Sequence, residues 1–335
     1  MRSKVTIQEI ADQIGLSKYA VSRALSGKSG VSAQTRELII NTAGNLGYFK
    51  DSQNPVAAPP GHIDPDTRTW SGTILVLFPN VRYQNTESLY WGPVFNGISS
   101  RLNQKKINIM TLTEPADDSM FSLLNPEAIM GIITIGSIST PILFDIKRLG
   151  IPVVMVDHLD HSFQSDSIFT DNLAGMREIM KALIRKGYKN YQFIGKIADA
   201  QSFYERWLGF SAALQEHKIA QTQIPELLDH VHDNFYEMIE RVFKTNELPE
   251  VFVCANDFYV SYTIDTFERL GVNITEKCIF TGFDNTDPSL PSKATVNVDK
   301  ELLGRRAVDQ MLWRILNPSS SYEKKLILGD VILKD

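Results

Sequence analysis

The sequence predicts an all-α helix-turn-helix headpiece followed, after a linker, by an α/β body of two lobes. Three observations carry that fold class. Two short amphipathic helical patterns separated by a glycine turn fall within the first 25 residues. A proline-rich stretch follows at 51–71. From residue 73 onward, apolar strand-length runs alternate with helix-length segments through two halves of the chain.

The first helix opens at Thr6, which forms a T-x-x-E capping box with Glu9 ahead of Ile7, Ile10, Ala11 and Ile14. Gly15 ends it, and Ser17 caps a second helix through about Leu25. Ser32 caps a third, with Leu38, Ile39, Thr42, Ala43 and Leu46 predicted inward and Gly47 as its stop. In the body, TILVLFP (73–79) reads as a buried strand and INIMTL (107–112), GIITIG (131–136) and IPVVMV (151–156) as further strands, with helices near 92–104 and 140–149 and a short one between INIMTL and GIITIG. The theme repeats with IFT (168–170), YQFIG (191–195), VFVCA (251–255) and CIFTGF (278–283), separated by helices at 172–186, 202–217 and 258–271. The predicted domains are a headpiece at 1–50, a linker at 51–71 and a two-lobed body at 72–335. In doubly wound sheets ligands bind beyond the carboxyl ends of strands, and between two lobes that edge becomes a cleft.

Bulk properties agree. A chain of 335 residues with 43% hydrophobic and 22% charged residues can build two or three domains with a large core. No run of 18 apolar residues is present, so no membrane span is expected. The N-terminus carries acids and lacks a secretory h-region, which predicts a cytoplasmic location. Cys254 and Cys278 lie in apolar segments and are expected to be buried free thiols. The net charge of −5 is unevenly placed. Residues 1–50 hold seven Lys/Arg against three Asp/Glu, a net of +4 that leaves −9 for the rest. A basic head on an acidic body suits a nucleic-acid module fused to a second function.

Residues 5–48 closely resemble the headpiece of the LacI/GalR family of bacterial regulators, through V-T-x-x-x-I-A-x-x-x-G-x-S-x-x-x-V-S-R-A-L, then V-S-x-x-T-R and L-G-Y. The body carries further marks in family order: IPVVMVDH (151–158), DN-x-x-G (171–175), R-x-x-GF (206–210), AND (255–257), GFDN (282–285) and ATV (294–296). The resemblance implies a ligand-binding and dimerisation body like the type I periplasmic sugar-binding proteins, two lobes joined by three strands, with an N-lobe of about 72–165 plus 299–317 and a C-lobe of about 166–297 plus 323–335. It also implies a dimeric repressor of carbohydrate uptake or catabolism genes that binds a palindromic operator under the control of a sugar or sugar derivative. One stretch departs from the pattern. The family's hinge helix N-x-x-A-R-x-L aligns here with DSQNPVA (51–57), where Asp51, Pro55 and Ala57 replace the usual Asn, Arg and Leu. A mid-segment proline removes a helix donor, so weaker operator bending is expected.

The second helix of such a motif presents its N-terminal residues to base edges in the major groove. That assigns DNA contacts to Ser17, Lys18, Tyr19, Ser22 and Arg23, with Thr6, Ser32 and Thr35 at phosphates or as plain caps. Gly27-Lys28-Ser29 is not a phosphate loop, because Ser22 stands where the earlier glycine is needed. In the body, polar residues at strand ends or helix starts are Asp157, Ser202, Arg206, Asn256 and Asp284, and the resemblance places all of them facing the cleft. Tyr90 and Trp91 offer either an aromatic platform or core packing, and Asp257 is read as a helix cap. His158, His161, His230 and His232 read as solvated loop histidines, with His158 alternatively lining the cleft, so no metal site is expected. No cofactor is expected either. Competing readings are an α/β enzyme using Asp157 and His158, an exported solute-binding protein, and a regulator whose effector is a protein. The first lacks any G-x-S-x-G, P-loop or G-x-G-x-x-G motif, and the second lacks a signal peptide. The chain ends soon after DVILKD (330–335) with no heptad, so a dimer rather than a tetramer is expected.

Overall fold

The computed structural model describes residues 6–25, 31–46, 70–80, 84–114, 125–230 and 234–334. Residues 51–69 of the predicted linker, with its hinge segment at 51–57, lie outside these, as do Gly27-Lys28-Ser29, Gly47 and His232; Trp70, predicted in the linker, is instead buried in the core of the body. The chain divides into two compact units, residues 1–67 and 68–335.

The first unit holds α1 (Ile7–Ile14), α2 (Lys18–Leu25) and α3 (Ala33–Leu46). The Thr6 hydroxyl accepts from the Glu9 amide, and the Glu9 carboxylate reaches back to the Thr6 amide at 2.7 Å. Gly15 closes α1 at φ 66°, the left-handed geometry that favours glycine. The Ser17 hydroxyl accepts from the Ala20 amide, and Ser32 from Thr35. Ile10, Ala11, Val21, Ala24, Ile39 and Ala43 form the small core. Leu38 and Leu46, expected inward, are exposed instead. Among the described residues, the buried positions of α3 are Ile39 and Ala43, four apart on one face.

The second unit contains two sheets. One has the order β2 (Asn108–Thr113), β1 (Thr73–Phe78), β3 (Ile129–Ile135), β4 (Val153–Val156), β5 (Asp166–Thr170) and β10 (Lys324–Ile327), all parallel. The other runs β6 (Tyr191–Ile194), β7 (Val251–Cys254), β8 (Ile279–Thr281), β9 (Ser292–Asn297) and β11 (Asp330–Leu333), parallel except for the β9–β11 pair. The predicted lobe boundaries need correction at two strands. β5 and β10 were assigned to the C-lobe, yet they pair with each other and β5 pairs with β4 in the first sheet. A buried ion pair holds this edge. Arg314 grips Asp166 through Nε and Nη2 at 2.6 and 2.8 Å and donates to the carbonyls of Asn317, Ser320 and Ser321. Asp166 also accepts from the Glu323 amide. Satisfied this fully, the pair fixes the return of the chain after α10 (Lys300–Leu316) into the first sheet. The chain thus passes between the sheets three times, after β5, after β9 and between β10 and β11.

Helices cover the sheets as α4 (Trp91–Gln104), α5 (Thr140–Arg148), α6 (Asn172–Arg185), α7 (Gln201–Glu216), α8 (Phe235–Thr245) and α9 (Asp257–Arg269). Helix α8 was not foreseen, and it buries Phe235, Met238, Ile239 and Val242 at helical spacing. Cys254 and Cys278 are buried and free, and burial pushes both thiols up. Among the described residues no helix is long and apolar enough to cross a membrane.

Candidate functional site

In the headpiece, α2 turns Val21 and Ala24 into the core, which leaves Lys18, Tyr19 and Ser22 exposed on the other face. Arg23 is half-buried. Its Nη1 donates to the Tyr19 hydroxyl at 2.8 Å, and its guanidinium lies 5.4 Å from the Tyr19 ring centre. The pair one helical turn apart therefore presents a single braced donor surface. Thr6, Ser17 and Ser32 spend their hydroxyls on capping, and the Thr35 hydroxyl hydrogen-bonds that of Ser32 at 2.7 Å.

In the body, the body-site residues singled out from sequence gather at the carboxyl ends of the strands. Asp157 follows β4 and Asp284 follows β8, both with left-handed backbone (φ 52° and 88°). Non-glycine residues rarely adopt this conformation, and it is found preferentially at sites where a turn must aim a side chain. The Tyr90 hydroxyl donates to Asp157 Oδ2 at 3.3 Å, and the Tyr90 and Trp91 rings meet edge to face at 4.7 Å. Across the cleft, Arg206 is nearly inaccessible to solvent. Its Nη2 and Nη1 donate to Asp284 Oδ1 and Oδ2 at 2.8 and 3.3 Å. Nη1 also donates to the Ala255 carbonyl and Nε to Asn172 Oδ1, while the plane stacks on Phe283 at 3.8 Å.

Three polar residues of this cluster were not foreseen: Asn172, Glu205 and Lys300. Asn172 donates to Glu205, which accepts from Lys324 of β10, and Lys300 donates to the backbone carbonyl of Asp284 while lying 5.9 Å from the Tyr90 ring centre. Asn172 stood in the DN-x-x-G match, which was the available signal for it.

Charge is crowded here, and burial raises the Asp157 carboxyl to about 7, with Asp284 and Glu205 adding to the rise and Arg206 and the Tyr90 hydrogen bond opposing it. Burial also raises the Tyr90 phenol and lowers the Lys300 amine. Asp157 Oδ1 is shielded from solvent and has no hydrogen-bond partner among the described residues.

Other expected positions fall differently. Asn256, not Asp257, caps α9 by accepting from the Tyr259 amide at 3.2 Å. Asp257 instead accepts from Thr286 and Thr295 across to the next loop. Ser202 is buried in the first turn of α7. His230, expected in solvent, is buried between Phe235 and Tyr259 at ring distances of 5.1 and 5.7 Å. His158 is half-buried, and burial lowers its imidazole. His161 is exposed, and among the described residues no cluster of three or more His, Cys, Asp or Glu is placed to hold a metal.

Two family models match the chain. Bacterial regulatory proteins of the lacI family match residues 6–51, and the periplasmic binding protein-like domain matches 180–334. The chain is similar to the lacI family of bacterial regulatory proteins over its headpiece and to periplasmic binding protein-like domains over much of its body. It is 24% identical over 290 residues to catabolite control protein A of Priestia megaterium, covering 84% of this chain and 83% of that one. It is 25% identical over 342 residues to the HTH-type transcriptional regulator RegA of Clostridium saccharobutylicum, covering 98% of each. Among solved structures, the fold is similar to a complex of the transcriptional regulator CelR with cellobiose, with a TM-score of 0.67 at 17% identity over 98% of this chain and 99% of that one. It is also similar to the lac repressor dimer bound to operator and the anti-inducer ONPF, with a TM-score of 0.63 at 18% identity over 99% of this chain and 98% of that one. The curated relatives named here are transcriptional regulators.

Proposed function

We propose that this regulator is a dimeric, ligand-controlled repressor of carbohydrate uptake or catabolism genes, working in the cytoplasm. The division of labour is a headpiece at 1–50, a linker at 51–71 and an effector-binding body at 72–335. Each headpiece reads one half of a near-palindromic operator, as two-fold symmetry requires. Lys18, Tyr19 and Arg23 contact base edges with help from Ser17 and Ser22, while Thr6, Ser32 and Thr35 meet phosphates. A sugar or sugar derivative binds between the lobes against Tyr90, Trp91, Asp157, Ser202, Arg206, Asn256 and Asp284.

The observation that carries this reading is that Tyr90 and Asp157 of one lobe share a field with Arg206 and Asp284 of the other. A ligand seated among them touches both lobes, so it favours one relative lobe placement by its differential affinity.

The test is selection of bound sequences from randomised DNA by the full chain, followed by titration of carbohydrates into the complex. A palindromic consensus whose affinity shifts at least tenfold with one carbohydrate is expected. Binding without sequence preference, or a consensus that no small molecule affects, would refute it.

A further inference from the structure

Among the described residues, the cations around this cluster are each engaged by a group of the protein. Arg206 spends its Nε and both Nη groups on Asn172, Ala255 and Asp284, with its face on Phe283. Lys300 is turned to the carbonyls of Asp284 and Val298. At the end of β6, Lys196 pairs with Asp199 at 3.1 Å, and Lys324 pairs with Glu205 at 2.7 Å. An unspent acceptor in this cluster is Oδ1 of Asp157, shielded and aimed by a left-handed turn, with Asp284 and Glu205 adding negative potential around it; Nε2 of the neighbouring His158 is also buried without a partner among the described residues.

An anionic ligand gives up its hydration most readily to a free guanidinium fork or ammonium, and it is opposed by carboxylates held close to its seat. Here it would meet a filled fork and an acidic wall. A hydroxyl group, by contrast, donates directly to Oδ1, and a sugar ring face can lie on the Tyr90–Trp91 pair.

On the reading of the cleft as a carbohydrate site, we propose that it selects an uncharged, hydroxyl-bearing ligand and rejects carboxylated or phosphorylated sugars, with Asp157 setting that preference. The groups that face Asp157 are Tyr90 at the start of α4, Glu205 and Arg206 on α7, and Asp284 after β8, with Lys300 of α10 behind Tyr90. No titratable cation among them is free to neutralise a ligand carboxylate.

The experiment uses the full chain and matched sets: glucose, glucuronate and glucose 6-phosphate; galactose, galacturonate and galactose 6-phosphate; ribose and ribose 5-phosphate; cellobiose and cellobionate. Binding is read by calorimetry and thermal shift. The neutral member of at least one set is expected to bind, with its charged counterparts at least tenfold weaker at pH 8. In Asp157→Asn that ratio should fall at least fivefold. With the native protein it should also fall from pH 8 to pH 6 for the uronates, whose carboxyl stays ionised across that range. A charged member binding as tightly as its neutral counterpart, or a ratio unmoved both by Asp157→Asn and by pH, would overturn the proposal while leaving the carbohydrate reading intact. No response to any member of any set would instead reject the carbohydrate reading itself.

Discussion

Replacing Arg206 with alanine strips a buried carboxylate of its counter-charge, and the size of the effect follows from the geometry. Asp284 is buried, and its two carboxylate oxygens take Arg206 Nη2 and Nη1 at 2.8 and 3.3 Å. The same substitution orphans Asn172 Oδ1 and the Ala255 carbonyl and removes the stack on Phe283. Breaking a buried pair by removing one partner costs about 3–5 kcal/mol, because the remaining charge stays desolvated. For a unit of this size each 1 kcal/mol lowers the melting temperature by roughly 2–4 °C, so a fall on the order of 10 °C is expected in the body's transition. The headpiece transition should not move, since the pair lies wholly in the second unit. Scanning calorimetry of the full chain measures both. The double variant Arg206→Met with Asp284→Leu supplies the control. It removes both charges together, so it should recover at least half of the lost stability while abolishing any ligand response. A single variant that melts within 2 °C of the native protein, or a double variant no more stable than the single, would refute the account of the pair as a mutually dependent buried unit.

The remaining predictions concern other elements. Tyr19→Phe removes the hydroxyl that accepts from Arg23 but keeps the ring, so it should relax preference at the base pair read by Arg23, costing about 1 kcal/mol on the selected operator and little on random DNA; equal losses on both would disprove the bracing role. Thr6→Ala should lower headpiece stability by about 1 kcal/mol, measured by denaturant titration with helix signal, because it removes one half of a reciprocal cap. Asp157→Asn should change the pH dependence of the body. The native carboxyl sits at about 7 against an ordinary 3.8, so the fold takes up a proton that the unfolded chain releases, and stability present below pH 4 is lost as pH rises towards 7. The variant should therefore lose less stability between pH 4 and pH 7 than the native protein, and parallel stability curves would exclude this origin. A gel-based bending assay on the selected operator should show a weaker central bend than a relative with an uninterrupted hinge segment, given Pro55 and Ala57.

What the sequence made legible was mostly local. The capping box at Thr6 and Glu9, the glycine stop and the strand–helix alternation depend on neighbours within a few residues, and the structure forms them where the pattern placed them. Helix α8 was equally legible, since Phe235, Met238, Ile239 and Val242 repeat at helical spacing, but its charged neighbours disguised it as loop. The misplaced strands are a different matter. Whether β5 belongs to one sheet or the other is decided by Arg314, which meets Asp166 from 148 positions away, and no local pattern reports such a pairing. His230 shows the same limit: a loop histidine between acids looks solvated until the fold brings Phe235 and Tyr259 around it.

The cleft joins these two kinds of information. Family motifs pointed to Asp157, Arg206, Asn256 and Asp284 one by one, as separate polar residues able to touch a ligand. Packing shows that they do not have equal freedom. Arg206 and Asp284 are consumed by each other, Asn256 by the start of α9, and the uncommitted acceptor is Asp157. Around the pair, a continuous polar path runs from Lys324 in β10 through Glu205, Asn172, Arg206 and Asp284 to Lys300 at the start of α10. Both ends of that path lie where the chain passes between the two sheets. Any movement of one lobe against the other must stretch or re-form it, so the stability of the Arg206–Asp284 pair and the energy of lobe closure are set by the same contacts. A ligand that donates to Asp157 can draw on this arrangement without dismantling it, whereas one that competes for Arg206 must first break the pair.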